Sequence, residues 1–175
     1  DVGSGADQRR IAVLRDGGRA PGVIWLPGFK SDMVSTKATV LSEWARRTGH
    51  ACTRFDYSGH GQSEGRFEDG TVGRWLEETR AVFTRMTEGP VIVVGSSMGG
   101  YIALLLLRQL MAEAPQEADR IKALVLIAPA WDMTEDLMWQ QFPDDVKRTI
   151  MDDGVWLRPS AYGDPYPITR GLIED

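Results

Sequence analysis

Short apolar runs alternate with helically periodic segments along the first 128 residues. Residues 10–14 and 22–26 are runs of strand length separated by Asp16-Gly17-Gly18, a turn sequence that tolerates positive φ, so the two together predict a hairpin. Val40, Leu41, Trp44 and Ala45 recur at helical spacing up to Gly49, a C-terminal stop. Residues 51–56 read as a strand, and residues 57–69, dense in Gly and Ser, as loop. Val72, Trp75, Leu76, Val82, Phe83 and Met86 mark one face of a second helix that ends at Gly89-Pro90. A buried-type strand at 91–94 precedes a third helix over 98–112, apolar nearly all round and so expected to pack on a sheet. Residues 121–128 make another strand. Strands that alternate with helices need crossover connections, which predicts an α/β fold with a mostly parallel sheet.

After Trp131 the pattern breaks into shorter pieces. Helices are expected over 134–141 and 143–151, followed by a Pro- and Gly-rich stretch through Pro167. The organisation expected is core over residues 1–130, a small cap segment over 131–170, and the start of a further element at 171–175. The expected architecture lacks a closing strand or helix, which points to a fold incomplete at its C-terminus.

With 42% hydrophobic and 26% charged residues, the 175-residue chain has enough apolar material for one packed domain. A formal net charge of -5 gives no electrostatic footprint for nucleic acid. The lone cysteine, Cys52, lies in an apolar run and reads as a buried thiol. No run approaches the length of a membrane span and no secretory pattern opens the chain, so a soluble protein is expected.

Gly95-Ser96-Ser97-Met98-Gly99 fits G-x-S-x-G, and the strand before it and helix after it supply the context in which that pattern places a nucleophilic serine on a tight turn. Ser97 holds the central position, and Ser96 reads as a packing residue. Acyl transfer also needs backbone N–H donors for the oxyanion. Met98 follows the nucleophile, and Phe29, in Leu26-Pro27-Gly28-Phe29 after an early strand, is the second candidate. A hydrolytic serine further needs an acid and a histidine, in the order Ser, Asp or Glu, His for this motif. The two histidines, His50 and His60, both precede Ser97. His50 reads as a surface residue after a helix stop and His60 as a loop residue rather than a base. Asp132 has capping-box spacing with Glu135, which favours a helix cap over a catalytic acid. Trp131, Trp139, Phe142 and Trp156, with Leu137 and Met138, either roof an apolar acyl site or bury one another as a cap core. No metal or cofactor site is read.

The segments Leu26-Pro27-Gly28-Phe29, Thr36-Lys37-Ala38, Gly49-His50-Ala51-Cys52, Arg54-Phe55-Asp56-Tyr57-Ser58-Gly59 and Gly95-Ser96-Ser97-Met98-Gly99-Gly100 closely resemble the α/β-hydrolase family of mitochondrial palmitoyl-protein thioesterases, which also cleave mycophenolic acid acyl-glucuronide, and their bacterial relatives. Fainter similarity continues through Gly154-Val155-Trp156 and Pro159-Ser160. The resemblance implies a serine esterase or thioesterase with Ser97 as nucleophile, a cap after Ala128 and no cofactor. Its substrate would be a small molecule or an acylated protein. It also implies that the acid and histidine lie beyond Asp175. An arginine-dominated basic complement suits a bacterial, cytoplasmic setting, whereas the resemblance points to mitochondria. Two other readings remain open: a hydrolase of another bond, such as a lipase-like ester or a carbon-carbon bond, and a non-catalytic binding module.

Overall fold

The computed structural model describes residues 1–160 and 163–175. Strands β1 (Val13–Asp16), β2 (Arg19–Leu26), β3 (His50–Phe55), β4 (Val91–Ser96) and β5 (Ile121–Ile127) form one sheet in the order β1-β3-β2-β4-β5. Only β1 runs antiparallel. The expected hairpin is corrected: β1 pairs with β3, and β2 lies between β3 and β4. Burial is the reason. Residues Val23, Ile24, Trp25 and Leu26 are all at most 3% exposed, so β2 needs neighbours on both edges and cover on both faces, which a hairpin partner alone does not supply.

The crossovers run through helices α1 (Thr36–Thr48), α2 (Val72–Met86) and α3 (Met98–Glu113), with a single turn, α4 (Pro115–Ala118), before β5. Gly49 ends α1 in the left-handed region at φ 78°, where its N–H meets the carbonyls of Ala45 and Arg46. The Thr71 side chain caps α2 by accepting from the Arg74 N–H at 3.1 Å. α2 and α3 bury Trp75, Phe83, Ile102, Leu106 and Leu110 on one face of the sheet. On the other face α1 sets Ala38 and Ala45 against Trp25, Val94, Val23 and Cys52. Cys52 is 1% exposed, and burial pushes its thiol up to about 11. Because the chain leaves β2 to one side for β3 and returns on the other for β4, the C-terminal ends of β2 and β4 form the topological switch point, where α/β sheets present their sites.

Beyond β5 the helix expected over 134–141 is replaced by hydrogen-bonded turns. Trp139 N–H and Gln140 N–H reach back five residues to Thr134 and Glu135, and a 3-10 turn follows at Trp139–Gln141. Asp132, at φ 49°, caps no helix; its carbonyl accepts from Asp136 N–H. Helix α5 (Asp144–Asp153) forms as expected. Part of the stretch read only as Pro- and Gly-rich is an antiparallel pair, β6 (Val155–Arg158) with β7 (Tyr166–Thr169), and α6 (Arg170–Glu174) follows. Met133, Met138, Phe142, Ile150, Ile168 and Leu172 from this region join the main core. Among the described residues, no helix is long and apolar enough to cross a membrane.

A buried ion pair ties the N-terminal segment to α2. The Arg9 guanidinium, 3% exposed, donates through Nε to Glu78, which is fully buried, and through one terminal nitrogen to Glu77 at 2.7 Å. The second Glu78 oxygen accepts the Ser58 N–H at 2.9 Å. Removing one member strands a charge, so Arg9→Met is expected to lower the unfolding free energy by about 3–5 kcal/mol. Urea unfolding reads this directly, and Arg9→Met combined with Glu78→Leu should lose less than Arg9→Met alone.

Candidate active site

Ser97 is the hinge between β4 and α3, at φ 54° and ψ -120°. A non-glycine residue held there stores roughly 1–3 kcal/mol of backbone strain. Its neighbours hold it: Ser97 N–H donates to Ile127 O at 2.9 Å, and Ser97 O accepts from Gly100, Tyr101 and Ala130. The flanking glycines are demanded by space. A Cβ on Gly95 would enter the Gly99 carbonyl, and one on Gly99 would enter the carbonyl of Leu26 at the end of β2. Ser96 is 5% exposed and packs into the sheet, whereas Ser97 keeps partial access to solvent.

The β2 loop lies beside this turn. An ideal Cβ on Gly28 would sit 3.4 Å from Ser97 Cβ and 4.0 Å from Ser97 Oγ. Among the described residues, neither the Phe29 N–H nor the Met98 N–H donates a hydrogen bond. Met98 opens α3, so its amide belongs to the positive end of that helix. Further along the β2 loop, Lys30 N–H is accepted by His60 Nε2 at 3.2 Å, Ser31 N–H by Gly28 O at 3.0 Å and Met33 N–H by Asp56 Oδ1 at 2.7 Å. The other Asp56 oxygen accepts from Gln62 N–H at 2.8 Å.

His60 is 6% exposed, edge-on to Tyr57, Trp75 and Phe29 and tilted against Phe67. Its Nδ1 meets Ser58 O at 3.1 Å, and with Nε2 accepting from Lys30 this requires the neutral ring protonated on Nδ1. Burial lowers its pKa. His50 Nδ1 contacts Pro21 O at 2.9 Å, and the ring stacks on Trp44. It is therefore an anchored residue rather than the free surface histidine expected. No hydrogen bond joins either ring to Ser97 among the described residues.

The four aromatic candidates after β5 are dispersed. Trp131 is 57% exposed and meets Tyr101, on the first turn of α3, edge to face at 5.6 Å. Phe142 is 7% exposed and packs edge to face on Trp156 at 5.3 Å. Trp139 is half-buried beneath the Lys147 ammonium. Among the described residues no cluster of His, Cys, Asp and Glu is arranged to hold a metal ion.

The residues that sequence reading missed are Asp56, which holds the β2 loop, and Glu78 with Arg9, which hold the loop around Ser58. A polar residue closing the strand at 51–56 was the available signal for Asp56. Glu78 and Arg9 carried none, since charges on a helix and near a terminus normally face water.

Gly99→Ala is expected to destabilise the fold by at least about 1–3 kcal/mol, because the added methyl meets backbone rather than a flexible side chain; thermal unfolding measures it. The folded His60 ring resists a proton that the unfolded chain takes up below its ordinary pKa of 6.5. Stability contributed by His60 is therefore lost as pH falls below about 6.5 toward the depressed folded pKa, by at most about 1.4 kcal/mol per pH unit. Urea unfolding between pH 7.5 and 5.5 should show a smaller acid loss in His60→Gln than in the wild type.

A family model for the alpha/beta hydrolase fold matches residues 23–167. The structure of a protein from Agrobacterium vitis S4 described as a hydrolase superposes with a TM-score of 0.92 at 42% identity, covering 99% of this chain and 68% of that one. Mouse alpha/beta hydrolase domain-containing protein 10 superposes with a TM-score of 0.80 at 31% identity, covering 99% and 67%. Human mitochondrial palmitoyl-protein thioesterase ABHD10 is 35% identical over 171 residues, which are 97% of this chain and 53% of that protein. The chain thus spans about half the length of the curated relatives it matches. With the five-stranded, mostly parallel sheet and the strained serine turn between β4 and α3, this match over most of its length establishes that the chain belongs to the alpha/beta hydrolase fold family.

Proposed function

We propose that this chain carries the nucleophile and oxyanion donors of a serine hydrolase that cleaves acyl thioesters or esters. The observation that carries the reading is Ser97, strained at the N-terminus of α3, next to a β2 loop whose Phe29 N–H, like the Met98 N–H, makes no hydrogen bond among the described residues. Ser97 Oγ gives its proton to a base and forms a bond to the acyl carbonyl carbon, while the Phe29 and Met98 amides receive the charge that develops on the carbonyl oxygen. Collapse of the adduct breaks the bond to the thiolate or alkoxide, which leaves with the proton held by the base. Water then adds to the acyl-enzyme and releases the acid. His50 and His60 are both engaged elsewhere, so the base in this scheme is a histidine outside these 175 residues.

Trp131, exposed and seated against Tyr101 close to Ser97, is the apolar surface best placed for an acyl chain. In the proposed cap over 131–170, the Phe142–Trp156 pair and Trp139 pack on the main core. The thioesterase described for the human relative makes acyl thioesters, on small molecules or on proteins, the first substrates to try.

On the native protein, a fluorophosphonate probe is expected to attach to Ser97, and Ser97→Ala to abolish attachment; equal labelling of the variant overturns the reading. In a panel of acyl thioesters, oxygen esters and diketones, turnover is expected with the first two. Cleavage of the diketones alone would move the activity to carbon-carbon bonds.

A further inference from the structure

The loop that carries Phe29 has one hydrogen-bonded turn of its own, closed by Ser31 N–H on Gly28 O at 3.0 Å with Phe29 and Lys30 at its centre, and no strand or helix to anchor that turn against the rest of the fold. It runs from the end of β2 at Leu26 to the start of α1 at Thr36, with Lys30 held at φ 57°. The Lys30 N–H belongs to the central peptide of that turn, one peptide after the one that carries the Phe29 N–H, so what holds it anchors the whole turn. That N–H is accepted by a side chain from another part of the fold, His60 Nε2. The ring is itself fixed from behind. Its Nδ1 donates to Ser58 O, whose peptide is pinned by Trp75 Nε1 at 3.3 Å on the carbonyl and by Glu78 on the preceding N–H. Phe29 also packs edge to face on Phe67, Trp75 and Tyr166, which places its side chain in the same aromatic box as His60.

We infer that His60 is a positioning residue for the oxyanion site: its Nε2, as a neutral acceptor for the Lys30 N–H, holds the β2 loop so that the Phe29 N–H is left aimed toward Ser97. This inference rests on the proposed role of Phe29. The chemistry asks for an acceptor at that point. A hydrocarbon ring would fill the box equally well but take the acceptor from a part-buried N–H, and the loop would turn to satisfy it.

Two substitutions separate the acceptor from the packing. His60→Phe keeps an aromatic ring and deletes both nitrogens. His60→Gln returns an amide oxygen near the position of Nε2 while losing the Nδ1 contact with Ser58. Hydrogen exchange of the Lys30 amide, followed by NMR, is expected to accelerate at least about tenfold in His60→Phe and to stay near wild type in His60→Gln and in Ser97→Ala. Fluorophosphonate attachment to Ser97 is expected to slow by about tenfold or more in His60→Phe, as for a displaced oxyanion donor, and to recover in His60→Gln. Unchanged Lys30 exchange in His60→Phe overturns the inference. So does equal slowing of attachment in both variants, which would make the histidine a packing residue. If the wild-type protein takes up no probe at all, the acyl-transfer reading fails, and the exchange measurement by itself decides whether His60 holds the loop.

Discussion

Where β2 and β4 end, the strand before Ser97, the helix after it and the β2 loop pass so close together that no Cβ fits at Gly95 or Gly99. Close packing forces the chain to reverse from strand to helix within a single residue, and that residue takes the φ of 54°. The strain persists because β5 and the residue after Pro129 hold both polar atoms of the Ser97 peptide. The geometry thus depends on the whole sheet: loosening β5 would release the turn. In return, the hydroxyl stands at the head of a 16-residue helix whose Met98 and Gly99 amides donate no hydrogen bond among the described residues.

A second set of constraints acts on the β2 loop, which has to be rigid without the hydrogen-bond ladder of a strand. Side chains at the end of β3 supply what the ladder would. Asp56 and His60 accept the Met33 and Lys30 amides, and behind them the buried Arg9–Glu78 pair fixes Ser58. Such an arrangement is costly to assemble, since charges and amides must be desolvated together, and it is stable only when each has its partner. Selective pairing leaves the Phe29 N–H, one residue before Lys30, without a partner among the described residues.

The residues after β5 show where periodicity misleads. Residues 134–141 have helix-like spacing, yet bonds spanning five residues and a 3-10 turn take the place of a helix, because Met133 and Met138 have to reach the core from a short connection. Tyr166 and Ile168 sit in a strand that no alternation of apolar and polar residues announces, since Pro165 precedes it and Pro167 lies within it. The paired strand β6 supplies the partner that makes it one.

Local chemistry was enough to determine the helices α1, α2 and α3 and the strand-turn-helix with Ser97 at its hinge. Each rests on spacing, on glycine at close approaches or on the residues that stop a helix, all of which are properties of a few consecutive positions. Tertiary structure alone decided that β1 joins β3, that His60 accepts an amide from a loop 30 residues away, and that Arg9 meets Glu78 across 69 residues. Those outcomes depend on which surfaces become buried together, and burial is a property of the folded chain as a whole rather than of any segment of it.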